Sequence, residues 1–383
     1  MDPSFKESPT GRLVESSNGV LAFVPAPLPP QVQEARHFRA ATEAASALGE
    51  MAGATRRLPN PSLLLRPLQS REALTSSAIE GTYSNEENLA LLDAGAGEEP
   101  RDDTREVLNY AIALKLALSH LDDGGPISQF FIRSIHKQLL EGVRGAPGVV
   151  PGEYRSEQNF IGGKRGRIDL ARFVPPPPFA AADAMSDLEV YLARNPRSRP
   201  HPLIDAALVH YQFETIHPFA DGNGRVGRIL IPLILKKGGV PGADMLYVSP
   251  FIESSRDEYI NLMYEVSRVG AWDDWIDYFL RAVRVSAEMG TAAADRLRAL
   301  HDDYAKLAVE QSQSGNLRRL VDILFASPVI TIPSAAQGLG VTYPTAQALV
   351  ERLVSAGVLT EVLQKPARTF IAIRIVRVAR ADA

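Results

Sequence analysis

His217-Pro218-Phe219-Ala220-Asp221-Gly222-Asn223-Gly224-Arg225-Val226-Gly227-Arg228 stands between two apolar runs, 204–216 and 229–235. The first run has helical texture and delivers the histidine. A glycine-bearing turn then opens a second apolar helix, expected over 224–237. Glycines let backbone amides approach a ligand closely, and a helix N-terminus offers unpaired N–H groups and partial positive charge. Arg225 and Arg228 supply forked donors suited to phosphate oxygens. Asp221 stands where a carboxylate can hold a magnesium ion bridging those phosphates. The His217 imidazole titrates near neutral pH and can take a proton from a hydroxyl nucleophile. The competing reading makes His217 a helix cap and the arginines surface ion pairs, but one packing role does not demand all these residue types together.

These twelve residues resemble the signature of the Fic family: a histidine, an aromatic, an acid, Gly-Asn-Gly-Arg and a final arginine, matched at every defining position. The resemblance implies a nucleotide site built from Asp221, Gly222, Asn223, Gly224, Arg225, Val226, Gly227 and Arg228. His217 would deprotonate a target hydroxyl. Asp221 would hold Mg2+, Asn223 and the glycine amides would cradle the α- and β-phosphates, and the arginines would hold the β- and γ-phosphates. The implied reaction is transfer of AMP from ATP to a Ser, Thr or Tyr hydroxyl of a target protein or of the chain itself. Positioning and charge neutralisation would do most of the catalysis.

Ser76-Ser77-Ala78-Ile79-Glu80-Gly81 is the second signal. A carboxylate before a helix-ending glycine faces the negative end of the macrodipole, and a nearby cation would relieve that. From spacing alone a solvated glutamate competes. The segment is similar to the Fic inhibitory motif, a Ser or Thr followed after three residues by Glu-Gly or Glu-Asn. That similarity assigns Ser76, Glu80 and Gly81 to an inhibitory helix over about residues 62–81. Glu80 is then expected to pair with Arg228 and obstruct the γ-phosphate. In some relatives of this kind the glutamate also supports removal of AMP.

Tyr154-Arg155, Asn159-Phe160-Ile161-Gly162-Gly163, Phe173-Val174 and the prolines 175–178 resemble the Fic flap, a small β-hairpin. Such a flap can present a strand edge to a target segment, and Ile161, Gly162 and Gly163 would let backbone approach the nucleotide. A surface loop followed by a polyproline linker is the alternative. Tyr259 falls in the region resembling the adenine pocket, although Ile260 stands where relatives often have a second tyrosine.

Elsewhere the texture is helical, so the fold is expected to be mainly α. Helices are expected over 31–57, 104–122, 128–142, 179–194, 256–267 and from Trp272 through about Ala294, with the residues before Pro30 a loosely ordered arm. From about Gly315 three short helical segments and two strand-like runs, 358–362 and 369–375, resemble a winged helix. The expected division is 1–103, an N-terminal helical region; 104–290, the catalytic core; 291–314, a linker helix; and 315–378, the winged-helix-like unit. Its excess of basic residues suits a DNA reader, yet the face with Thr342, Tyr343, Thr345, Gln347, Glu351 and Arg352 offsets one arginine with one glutamate. DNA, docking, target presentation and homodimer formation all stay open for it.

The 383 residues suffice for about two or three domains. Their 45% hydrophobic and 22% charged composition is that of an ordinary globular protein. A net charge of -4 gives no reason to expect nucleic acid across the whole surface, and the absence of cysteine excludes disulfides and thiolate chemistry. No apolar run reaches the roughly 18 residues a membrane helix requires, nor do residues 20–24 form a signal peptide. A cytoplasmic location is expected. Two other functions compete: a transcriptional regulator sensing nucleotide through an idle core, and transfer of a different phosphate-linked group.

Overall fold

The computed structural model describes the chain except residues 1, 18, 57–65, 97–101, 144–147, 163–167, 312–314, 364–366 and 379–383. The expected positions Gly163 and 62–65 therefore lie outside the described residues.

Among the described residues, eleven α-helices make the body: α1 Glu34–Arg56, α2 Arg66–Ile79, α3 Glu86–Asp93, α4 Asp102–Asp122, α5 Gln129–Leu139, α6 Pro178–Ala193, α7 Pro202–Ile216, α8 Asn223–Lys237, α9 Ser249–Ser254, α10 Arg256–Val269 and α11 Trp272–Gln311. At the centre lies the pair α7 and α8. Residues 203–213 and 223–235 are buried without a break: both are largely apolar and must be surrounded, and their polar members, such as Asp205, Asn223, Arg225 and Arg228, find partners inside. Pro202 starts α7 with a preset φ, while the His201 ring accepts from the Leu203 N–H at 3.3 Å. Around the pair, α2, α4, α5, α6, α10 and α11 share one hydrophobic core.

Alanines on α1 face α11 (Ala41, Ala44 and Ala47 are buried with Leu48 and Met51), so the two helices lie close. Gly290 of α11 is part of that fit, since a Cβ there would meet Met51 Sδ at 2.5 Å. Helix α11 runs 40 residues, past the expected end near Ala294. Its first half packs in the body and its second half, with Leu297, Leu300 and Tyr304, in the C-terminal core. Residue 290 thus falls inside one continuous helix.

The residues before Pro30 are not a loose arm. They form an antiparallel hairpin, β1 Gly11–Glu15 with β2 Leu21–Pro25. Phe5 and Phe23 are fully buried and meet edge-to-face at 5.4 Å. Their partners are Phe173 and Tyr264, far away in sequence, so local composition gave no hint of order. The flap region pairs through one antiparallel bridge, Ile161 with Phe173. Phe23 N–H donates to the Val174 carbonyl at 2.9 Å, so the N-terminal hairpin flanks this segment.

The C-terminal unit runs α12 Gly315–Ala326, β3 Val329–Thr331, α13 Ile332–Leu339, α14 Tyr343–Ser355, β4 Thr360–Leu363, β5 Thr369–Ile371 and α15 Ile373–Arg377. The strands pair antiparallel in the order β3-β5-β4. The strand expected over 369–375 stops at Ile371, where the chain turns into α15. Ile375 and Val376 are buried there on adjacent positions, which an apolar run alone does not distinguish from strand.

Candidate active site

Helix α7 ends at His217, whose φ of 50° and ψ of 57° are left-handed; it is the one non-glycine residue with positive φ among those described. A β-carbon disfavours that conformation, so the surroundings must impose it. The His217 N–H closes onto the Phe213 carbonyl at 3.0 Å, and Pro218 cannot continue the helix. Ring nitrogen Nδ1 lies 3.2 Å from the Glu214 carbonyl. A carbonyl can only accept, so Nδ1 carries the hydrogen and Nε2 keeps a free lone pair. Burial pushes the imidazole down to about 4; the Arg155 charge acts in the same direction, and the Glu214 carbonyl, Glu80 and Asp221 oppose it. The ring is neutral at pH 7.

The turn is closed by Asn223. Its Oδ1 accepts from the Phe219 N–H at 2.8 Å and its Nδ2 donates to the Phe219 carbonyl at 2.9 Å. The Asn223 side chain is thus committed to the loop, and its backbone N–H stands at the helix N-terminus with those of the neighbouring glycines. The Phe219 ring stacks on His136 at 3.8 Å. His136 Nε2 donates to the Asp221 carbonyl at 3.0 Å, and Nδ1 accepts from Gly152 N–H at 2.9 Å. Gly222, at φ 80°, opens α8. The Asp221 side chain remains 46% exposed, its Oδ2 3.6 Å from Arg225 Nη2.

Arg225 has an internal partner as well. It is 2% exposed, and Nη1 lies 2.6 Å from Glu106 Oε2, so burial has given its charge a partner inside the protein. Val226 is core. Gly227 serves packing: a Cβ would meet Glu214 Oε1 at 2.0 Å, and its carbonyl accepts from His210 Nδ1 at 3.1 Å. Neither Val226 nor Gly227 lines the cavity beside His217.

Arg228 is bound on three sides. Nε donates to Ser76 Oγ, and Nη2 donates to the Ser76 carbonyl and to Glu80 Oε1, each at 2.8 Å. Burial pushes the Glu80 carboxyl up, but the Arg228 charge and hydrogen bond, with Arg225 and His217 behind them, more than offset it, leaving it below the usual range. The first turn of α8 receives Glu80 because Gly224 has no side chain; a Cβ would lie 2.1 Å from Oε1. Gly81, at φ 89°, ends this segment, and the Thr82 N–H returns to the Ser77 carbonyl at 3.0 Å.

A cavity of about 190 Å³ joins Glu80, His217, Gly224 and Arg228 to Ile161, Phe173 and Tyr259. Gly162 takes φ 71° with Arg172 packed 3.1 Å from its missing Cβ. Tyr259 is 5% exposed and its hydroxyl lies 2.8 Å from His210 Nε2. Since His210 Nδ1 donates to Gly227, Nε2 accepts from the tyrosine. A larger cavity of about 800 Å³ opens between α2, α4 and the C-terminal unit, away from this chemistry.

Sequence reasoning missed several participants. Glu214 and His210 precede His217 by three and seven residues, so a helical-face argument could have found them. Burial raises the Glu214 carboxyl to about 8, Arg228 opposing and Glu80 reinforcing, and Oε1 has no hydrogen-bond partner among the described residues. Glu106 and Glu72 come from other helices and carry no local signal. Glu72 anchors α2, accepting from Tyr110 Oη at 2.9 Å and from Ser249 Oγ at 2.5 Å.

Residues 126–235 match the Fic/DOC family, and residues 38–119 match the Fic/DOC family N-terminal region. The chain belongs to the Fic/DOC family. It is 30% identical over 202 residues to "Protein adenylyltransferase Fic" of Drosophila sechellia, covering 52% of this chain and 37% of the fly protein. It therefore spans little more than a third of the length of that curated relative. A Fic family protein from Desulfovibrio desulfuricans G20 has the same fold, with a TM-score of 0.55 at 21% identity over 90% of this chain and 97% of the other. Fic-1 from C. elegans aligns with a TM-score of 0.51 at 20% identity, over 70% and 75%. No helix among the described residues is long and apolar enough to cross a membrane.

Proposed function

We propose that this Fic-fold chain transfers AMP from ATP to Ser, Thr or Tyr hydroxyls of a protein, and that Glu80 restrains it. One observation carries the reading: His217 presents a neutral Nε2, unpartnered among the described residues, in the cavity it shares with Arg228 and the first turn of α8. Nε2 accepts the hydroxyl proton as the oxygen attacks the α-phosphorus. The bond from the α-phosphorus to the bridging oxygen breaks, and pyrophosphate leaves with the electron pair. Helix N–H groups and Arg228 hold the charge that moves onto the departing phosphates. The D. sechellia relative, named as an adenylyltransferase, supports the same chemistry.

Among the described residues no three His, Cys, Asp or Glu side chains cluster to hold a metal. A single half-exposed carboxylate, Asp221, suits Mg2+, which takes one or two carboxylates together with substrate phosphates and waters. Bound there, Mg2+ would neutralise phosphate charge.

Glu80 occupies the ground a γ-phosphate needs, against Gly224 and on Arg228. At about 190 Å³ the cavity is smaller than the roughly 300–1,000 Å³ usual for ligand pockets. Release of Glu80 would enlarge it, and whether Glu80 also assists removal of AMP belongs to the same site. We read 1–103, 104–290, 291–314 and 315–378 as functional regions, the last winged-helix-like by its helix–strand–helix–helix–strand–strand order. Near α14, Arg368 is paired with Glu361 at 2.9 Å and lies 3.5 Å from Glu351. That neutralisation favours docking or a homodimer over DNA as its partner. A cytoplasmic setting, with ATP and protein targets, fits this reading.

The test uses ATP labelled at the α-phosphate, with and without magnesium, on the wild type, Glu80→Gly and His217→Ala in the Glu80→Gly background. Label on protein in the single variant and none in the double variant is the expected outcome. No label in any of them, with cell extract supplied as target, would favour the nucleotide-sensing alternative.

A further inference from the structure

Arg155 is a buried guanidinium, 6% exposed, with no carboxylate partner among the described residues. Its donors end on backbone carbonyls. Nε reaches the His217 carbonyl at 2.9 Å, Nη1 the Glu157 carbonyl at 3.1 Å, and Nη2 the Pro176 carbonyl. Its own N–H donates to the Pro218 carbonyl at 3.0 Å. A cation without a counterion is costly to bury, and burial pushes this one down to about 10. Surface exposure or a glutamate would have been cheaper ways to seat an arginine. The arrangement makes sense if the planar fork itself is needed: lysine cannot span three carbonyls in fixed directions.

Resting on the AMP-transfer reading above, we propose that Arg155 is a positioning residue. It clamps both ends of the flap to the backbone of His217 and Pro218, holds His217 in its left-handed conformation, and keeps a positive charge beside the ring. Two consequences follow from the geometry. The Nδ1–H contact to the Glu214 carbonyl survives only while the His217 backbone stays left-handed, so the clamp selects the tautomer with Nε2 free. The charge also opposes protonation of that ring. The other charged groups acting on His217 are Glu80 from the inhibitory segment and Asp221 from its own loop, and both favour protonation. Arg155 is thus the cation that counters them.

The experiment compares Arg155→Lys and Arg155→Met in the Glu80→Gly background, using AMP transfer and the imidazole 15N resonances of His217, assigned by their loss in His217→Ala. Arg155→Met is expected to lower kcat about 100-fold, the scale of a misplaced catalytic group, with the KM for ATP within about threefold of the parent. At pH 7 the His217 resonances should lose the pattern of the single tautomer with Nε2 free, and the ring should protonate at a higher pH than in the parent, where burial holds it near 4. Arg155→Lys, which keeps the charge and loses the fork, should also lower kcat while leaving protonation unchanged. Parental kcat in both variants, or unchanged resonances in a folded Arg155→Met, overturns the proposal. Should Arg155→Met not fold, Arg155→Lys decides alone: a parental kcat with a parental tautomer refutes the clamp. If the Glu80→Gly parent transfers no AMP, the activity reading fails, while the resonances still test the clamp.

Discussion

Glu80 and Arg228, 148 residues apart in sequence, meet at 2.8 Å between Oε1 and Nη2. The arginine is 2% exposed. It enters the protein on the first turns of a helix whose unpaired N–H groups favour an anion. Glu80 is that anion in the folded chain, and the proposed restraint rests on a phosphate having to take its place.

Ser76 shares Arg228 with Glu80. Ser76→Ala removes the acceptor of Arg228 Nε, a hydrogen bond to a charged group worth about 1.5–3 kcal/mol when buried. Transfer activity is expected to rise above wild type but stay below Glu80→Gly, because the carbonyl and carboxylate contacts remain. Initial rates with α-labelled ATP check the order; activity equal to wild type would assign Ser76 to packing.

The acid side of the pH profile should be unusually low. With His217 held near 4, the base stays unprotonated down to about pH 5, and activity falls as pH drops through about 4. A kcat/KM limb near the ordinary histidine value of 6.5 in the Glu80→Gly variant would contradict the burial argument.

Glu214 should show itself in stability rather than rate at high pH. Its folded value of about 8 exceeds the ordinary carboxyl value of 4.5, so the native state binds the extra proton. The contribution is present below 4.5 and is lost as pH rises toward 8. Buried His136, His210 and His217, all depressed, act in the opposite direction below 6.5. Glu214 therefore stands alone among these four groups from pH 6.5 to 8. Glu214→Gln is expected to flatten the fall in melting temperature across that window; an unchanged slope would remove the claim.

Packing between α1 and α11 offers a separate check. Gly290→Leu forces Met51 aside, where even a Cβ would stand 2.5 Å from Sδ. Overpacking of this kind costs about 1–3 kcal/mol, seen as a lower denaturant midpoint with an unchanged m-value.

Much of the site was legible because its parts are neighbours in the chain. His217 through Arg228 announce a helix end, a turn and a helix start, and the structure puts them there. Glu80 was legible by its resemblance to a known motif, since spacing alone favoured a solvated residue. The partners that Asn223 and Arg225 find inside the protein were not legible. Asn223 closes on Phe219, four residues before it, a turn contact that composition does not announce, and Arg225 meets Glu106, which only folding brings. The N-terminal hairpin escaped for a similar reason, as Phe5 and Phe23 acquire order only against Phe173 and Tyr264.

By itself, then, the sequence determined the helical body, the glycine-bearing turn that opens a second helix, and the presence of one base among residue types suited to phosphate. These follow from periodicity, glycine placement and side-chain chemistry, which act over a few residues. The tertiary structure decided how deeply His217 is buried, that Glu80 does reach Arg228, and where the buried carboxylates Glu72, Glu106 and Glu214 stand. Those outcomes depend on desolvation and on partners from distant segments, and neither exists until the chain has folded.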